Sequence, residues 1–199
     1  MNDTRTSSIA ELLHDAASTT PNATWLTIPE TNKHYRWQDS FDRAREIACY
    51  LQGAGLSDGA SVAIAAANGA AASFAFLGAV FGGFRATPLN LVAGVKTLSF
   101  VLSHSKTELI LCADDCLTMV EEALSTMPGI TKIMPRIISM DIDDGPRWDE
   151  SSITPIKVND LRQPTAETIG LLMYTSGTTG VPKGVLLSHA NLIAAGSNV

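Results

Sequence analysis

The chain has 199 residues, of which 45% are apolar and 17% charged; this excludes a largely disordered chain and is enough to bury a core in one domain or slightly more. The net charge of −6, with lysine and arginine scattered, argues against a nucleic-acid surface and against a polybasic membrane patch. Three cysteines, Cys49, Cys112 and Cys116, are an odd number and predict reduced thiols rather than a disulfide framework.

The first residues, Met1 to Arg5, lack the apolar stretch of a secretory signal. A cytoplasmic protein is therefore expected, and the sequons at Asn2 and Asn22 carry no weight. Ile9 to Ala17 reads as a helix with one apolar face. Thr24 to Ile28 and Lys33 to Trp37 read as a hairpin around Pro29-Glu30-Thr31-Asn32. From Trp37 to Leu51, Phe41, Ala44, Ile47, Ala48 and Leu51 recur at helical spacing, and Gly53 and Gly55 end that helix.

Residues 59–84 contain no charged side chain and are long enough to cross a bilayer. Asn68-Gly69 divides them, so a strand at Ser61 to Ala66 and a buried helix at Ala70 to Phe84 are expected, and no membrane span. Arg85 to Leu89 returns as a strand, Leu98 to Leu102 lies in a helix, and Glu108 to Cys112 is a strand. Asp114 and Asp115 start a helix to about Met127, with carboxylates favourable at its N-terminus. Ile130 to Ile138 reads as a strand interrupted by Pro135.

Cys112 and Cys116 would share a face if both were helical. No histidine lies close in sequence to complete a zinc set, so structural thiols and no metal site are expected. Residues 139–167 are polar and loop-like, with Pro146, Pro155 and Pro164, and read as a connecting segment. Asp141, Asp143 and Asp144 evoke calcium, but Gly145 comes one position too early for the EF-hand pattern. The repeated strand–helix–strand units predict an α/β fold with a largely parallel sheet flanked by helices, without a 20–50-residue repeat.

Residues 168–199 carry the chemistry. Ile169 to Tyr174 is an apolar run entering Thr175-Ser176-Gly177-Thr178-Thr179-Gly180-Val181-Pro182-Lys183-Gly184, and Val185-Leu186-Leu187 is an apolar run leaving it. Ser188 can cap the helix that follows. Glycines let backbone N–H groups approach a ligand closely, and curled N–H groups make an anion nest. The hydroxyls of Thr175, Ser176, Thr178 and Thr179 add donors, and Lys183 adds a positive charge. Such a loop suits a polyphosphate. It is not a Walker A loop, since two residues separate Gly177 from Gly180 and Lys183 lies between Pro182 and Gly184. The phosphate is expected on the loop itself and not at a helix N-terminus.

The run YTSGTTGVPKG followed by VLLSHANL resembles the phosphate-binding signature of the adenylate-forming superfamily, which includes acyl-CoA synthetases, firefly luciferase and nonribosomal adenylation domains. Upstream, His34 to Asp39 is similar to that family's TYxEL opening. Gly59 to Ile64 is similar to GDRVAI, with Ala60 for the usual Asp. Phe76 to Asn90 is similar to FLGALxAGAxxxPLNP, with Leu91 where Pro is common. The likeness covers most of residues 8–199. It implies the N-terminal part of the family's large domain, with the C-terminal domain and the downstream YGxTE strand, ribose-binding aspartate and hinge lacking here.

The resemblance implies ATP-dependent activation of a carboxylic acid to an acyl-adenylate and transfer to CoA, with Mg2+ as cofactor and a place in fatty acid metabolism. It assigns Thr175, Ser176, Gly177, Thr178, Thr179, Gly180 and Lys183 to phosphate binding, with Lys183 stabilising charge. The expected partners are small molecules, with no nucleic acid and no membrane span; a homodimer is allowed. The 199 residues alone are expected to be inactive, with exposed sheet edges. Two other readings stay open: an adenylating enzyme that activates an amino acid or loads a carrier protein, and a short non-catalytic nucleotide- or phosphate-binding module. His14, His34 and His104 are isolated in the sequence, and His189 is expected to cap or pack. Trp25, Trp37 and Trp148 are expected to pack rather than stack on a nucleotide.

Overall fold

A computed structural model of the chain describes residues 8–127, 134–141, 143–175 and 182–197. Helix α1 (Ile9–Thr19) starts at Ser8, whose hydroxyl accepts from the Glu11 N–H. Strands β1 (Thr24–Ile28) and β2 (Lys33–Arg36) form the expected hairpin, turning through Asn32 in the left-handed region. Helix α2 (Trp37–Gly53) begins where the Asp39 carboxylate accepts from the Arg36 N–H. Strand β3 (Ser61–Ala65) is buried along its whole length, as suits a central strand covered on both faces.

Helix α3 (Ala70–Phe81) stops three residues before the sequence pattern suggested. The cause is Gly83, at φ +78°, which lets the Phe84 N–H reach back to the Ala79 carbonyl and close the helix. Strand β4 (Arg85–Pro88) and helix α4 (Val95–His104) follow, then β5 (Thr107–Ala113). Asp114–Cys116 form a 3-10 turn ahead of helix α5 (Leu117–Ser125), so the helix starts later and ends sooner than expected. At its end the Ser125 and Thr126 hydroxyls both donate to the Glu122 carbonyl, competing with the helical ladder. The 3-10 turn also separates Cys112, on β5, from Cys116, so the two share no helix face.

Strand β6 spans Arg136–Asp141. It begins after Pro135, which cannot donate to a ladder, and runs into a segment whose polar composition suggested loop. Of the strand expected at Ile130 to Ile138, residues 130–133 lie outside the described residues. Strand β7 (Gly145–Pro146) pairs antiparallel with β6. Residues beyond it lie against α2: the Ile156 N–H donates to the Cys49 carbonyl, and the Gln52 amide exchanges hydrogen bonds with the Arg162 backbone. Ile153 and Leu161 are buried there.

Strands β8 (Ile169–Thr175) and β9 (Lys183–Ser188) and helix α6 (His189–Gly196) complete the described chain. The sheet order is β7-β6-β5-β3-β4-β8-β9. The five inner strands are parallel, and the two outer ones are antiparallel to their neighbours. Strand alternation sorts the core onto two faces. Val62, Ile64, Leu109 and Leu111 pack with Phe74 and Val80 of α3 on one face. Ala63, Ala65 and Ile110 pack with Leu98, Leu102 and Val120 of α4 and α5 on the other. Among the described residues no helix is long and apolar enough to cross a membrane.

Candidate functional site at the β8–β9 hairpin

Strand β8 pairs parallel with β4 on one side, at Ala86 and Leu171, and antiparallel with β9 on the other. The β8–β9 ladder runs from Ile169 opposite Ser188 to Thr175 opposite Lys183. Directly opposed residues in a ladder present their side chains to the same face. The two ends of the signature run that the structure describes are thus brought together as a cross-strand pair, a hydroxyl beside an ammonium, both exposed. Ser176, Gly177, Thr178, Thr179 and Gly180 lie outside the described residues. One step into the hairpin, Tyr174 stands opposite Gly184.

The helix that follows offers no free N-terminus. The His189 N–H donates to the Thr168 carbonyl at 3.0 Å and the Ala190 N–H to the Ala166 carbonyl at 3.0 Å. The Asn191 N–H donates to the Ser188 hydroxyl, and the Asn191 side-chain oxygen accepts from the Ser188 N–H. With its first amides already committed, α6 is closed as an anion site.

His189 packs, as expected, but with a specific partner. Its ring is fully buried and its Nδ1 accepts the Ile9 N–H at 3.0 Å. Burial pushes its pKa down to about 4. Gly170 of β8 makes room for it: a Cβ there would stand 3.3 Å from the imidazole. His104, isolated in the sequence, is joined in space to Tyr174, with Nδ1 2.7 Å from the phenolic oxygen. Sequence reasoning missed that pair, and with the partners 70 positions apart no local pattern signals it. His34 bonds the Thr27 hydroxyl across the β1–β2 hairpin, and His14 packs edge-on to Phe41. Trp148 stacks on Tyr50, and Trp25 lies between Trp37 and Phe74, so the tryptophans pack.

The acidic cluster is internally satisfied. Asp141 accepts from the Asp143 and Asp144 N–H groups and from Arg147, and these bonds hold its carboxyl below the usual range. Asp143 pairs with Lys33 at 2.6 Å, and Arg147 spans Asp114 and Asp141. The three thiols are buried, and burial raises Cys112 to about 12 and Cys116 to about 11, which makes them inert. No metal-ligand cluster occurs among the described residues. A crevice of about 720 Å³ opens at the carboxyl ends of β3 and β4, under the β1–β2 hairpin. It is separate from the Thr175–Lys183 pair, which does not line it.

A family model for AMP-binding enzymes matches residues 13–199. The chain belongs to the AMP-binding enzyme family. A sulfoacetate–CoA ligase of Cupriavidus necator is 30% identical over 191 residues, covering 96% of this chain and 36% of that protein. A peroxisomal acetate/butyrate–CoA ligase of Arabidopsis thaliana is 29% identical, covering 79% of this chain and 31% of that protein. Among solved structures, a Mycobacterium tuberculosis fatty acyl CoA synthetase superposes with a TM-score of 0.74 at 21% identity, over 92% of this chain and 34% of its own. A fatty acyl-adenylate ligase from L. pneumophila, in complex with acyl adenylate and pyrophosphate, superposes with a TM-score of 0.70 at 26% identity, over 96% of this chain and 32% of its own. This AMP-binding chain thus spans about a third of the length of the relatives it matches. Its mainly parallel sheet is the N-terminal part of their fold.

Proposed function

We propose that the protein carrying this chain activates a carboxylic acid with ATP and passes the acyl group to CoA. The carboxylate oxygen attacks the α-phosphorus and pyrophosphate leaves. The CoA sulfur then attacks the acyl carbonyl and AMP leaves. The observation that carries this reading is the β8–β9 hairpin, which holds Thr175 and Lys183 side by side at the ends of the signature loop.

In this reading Thr175, Ser176, Gly177, Thr178, Thr179, Gly180 and Lys183 hold the β- and γ-phosphates. Their task is to stabilise charge that accumulates on the departing pyrophosphate. An ammonium donates to phosphate oxygens, and a hydroxyl can donate to a phosphate oxygen or offer its own oxygen to a cation. Mg2+ therefore belongs to the proposal as the counter-ion that shields the nucleotide's phosphates. Residues 168–199 act as the phosphate-loop segment. Fatty acid metabolism, a cytoplasmic location and a homodimer are further parts of the proposal, of which the first rests on resemblance. The named substrates of the relatives include sulfoacetate, acetate and butyrate, so the acid is sought among short carboxylates first.

The 199 residues alone are proposed to be inactive. Their β9 edge and the exposed Met173, Val185 and Leu186 support that view. The test is acid-dependent ATP–pyrophosphate exchange by the protein as its source makes it, against a panel of acids. Exchange followed by acyl-CoA formation is expected. Exchange with transfer only to a carrier protein would favour the carrier-loading reading, and ATP binding without any exchange would favour the non-catalytic module.

A further inference from the structure

We propose that His104 is a positioning residue for nucleotide phosphate, acting through its hydrogen bond to Tyr174 at the end of β8. The proposal rests on the phosphate reading of the β8–β9 hairpin and deepens it.

His104 is the last residue of α4, on the face of the sheet opposite α3. Its imidazole is held from two directions. Phe100, one helical turn earlier, stacks on it at 5.3 Å with 22° between the planes. Tyr174 meets it edge-on at 5.7 Å and 82°, with the phenolic oxygen 2.7 Å from Nδ1. Burial raises the Tyr174 pKa, so the phenol keeps its proton at neutral pH and remains a donor.

The Tyr174 ring lies against Gly184, its partner in the ladder. A Cβ at Gly184 would stand 3.0 Å from the Leu172 side chain and at ordinary contact distance, 3.5 Å, from the ring, so the ring and Leu172 together line the space over this glycine. Tyr174 immediately precedes Thr175, and Gly184 immediately follows Lys183. The Tyr174–Gly184 and Thr175–Lys183 pairs are therefore neighbouring rungs of one ladder. Side chains alternate between faces along a strand. Tyr174 points to the α4 face, and Thr175 and Lys183 present their donors on the reverse face. Helix α4 thus grips the back of the rung next to the phosphate donors.

A purely structural role for His104 fits the burial pattern poorly. Helix α4 is fixed to the sheet by Leu98, Val101 and Leu102, all buried, while His104 is exposed. The fold does not need its ring, yet the ring is clamped. Such clamping is what a precisely placed donor set requires, because donors held in advance need no reorganisation when phosphate arrives.

The experiment uses the protein as its source makes it, with MgATP as the probe. Affinity is read by calorimetry, and KM and kcat by ATP–pyrophosphate exchange. His104→Ala and Tyr174→Phe are each expected to raise the KM for MgATP about two- to tenfold, as for loss of one hydrogen bond. The melting temperature should stay unchanged and the double variant should be no worse than either single one. His104→Asn, whose amide can meet the Tyr174 hydroxyl from near the Nδ1 position, should recover most of the affinity. Unchanged MgATP affinity in both single variants overturns the positioning role and leaves the phosphate reading standing. So does full additivity in the double variant, or a fall in melting temperature without a change in KM. Failure of the unsubstituted protein to bind MgATP overturns both.

Discussion

The Ile9 N–H and the His189 Nδ1, 180 residues apart in the chain, are joined by a hydrogen bond of 3.0 Å. Ile9 opens α1 and His189 opens α6, so one bond ties the first described helix to the last. The bond requires a neutral imidazole, because only a deprotonated Nδ1 can accept. Its Nε2 is buried and has no partner among the described residues.

A pH dependence follows. Burial lowers the His189 pKa from 6.5 in the unfolded chain to about 4 in the fold. Between those values the unfolded chain binds a proton that the folded chain refuses, so stability falls as pH drops from about 6.5 to about 4 and is flat in this respect below. The expected loss is on the order of 3 kcal/mol across the window. Urea unfolding at pH 7, 6, 5 and 4 measures it. His189→Gln should be less stable at pH 7 and should lose this part of the slope; an identical slope in both proteins would refute the assignment.

Lys183 is exposed, so its removal should cost the fold little while costing the ligand much. Lys183→Ala is expected to weaken MgATP binding about ten- to a hundredfold, the scale of one charge-assisted hydrogen bond. Lys183→Arg should retain part of the affinity. Calorimetry with MgATP reads the effect, and unchanged affinity with an intact melting curve would remove Lys183 from the site.

Gly78 marks where α3 crosses α2. A Cβ there would overlap the Ile47 side chain, which is itself buried in the core. Gly78→Ala should destabilise by about 1–3 kcal/mol through overpacking. Gly196→Ala, which meets nothing within 4 Å, should change stability by less than about 0.5 kcal/mol. Thermal melting of the two variants side by side tests the contrast, and equal melting temperatures would contradict the close approach.

Much of the frame was legible residue by residue. The hairpin around Pro29 to Asn32, the amphipathic period of α2 and the apolar runs on each side of the loop are local signals, and each stands where the pattern put it. The errors were local as well. The apolar pattern runs past the end of α3 because Gly83 reads as one more small residue, whereas its left-handed turn closes the helix. The pattern ends β6 too soon, at Ile138, because the residues that follow read as polar loop. Its end was hidden in Ser139 to Asp141, where a strand that pairs on both sides needs little apolar patterning.

By itself the sequence determined the order of helices and strands, the α/β class and the donor chemistry of the loop. These follow from side-chain period, turn residues and functional groups, all of which act over a few residues. Only the tertiary structure decided that β4 and β8 are neighbours, that Thr175 faces Lys183, that His104 bonds Tyr174 and that His189 takes the Ile9 N–H. The physical reason is that such partners are chosen by packing. Burying both faces of the sheet sets the strand order, and the strand order brings distant side chains within hydrogen-bonding distance, where no local rule relates them.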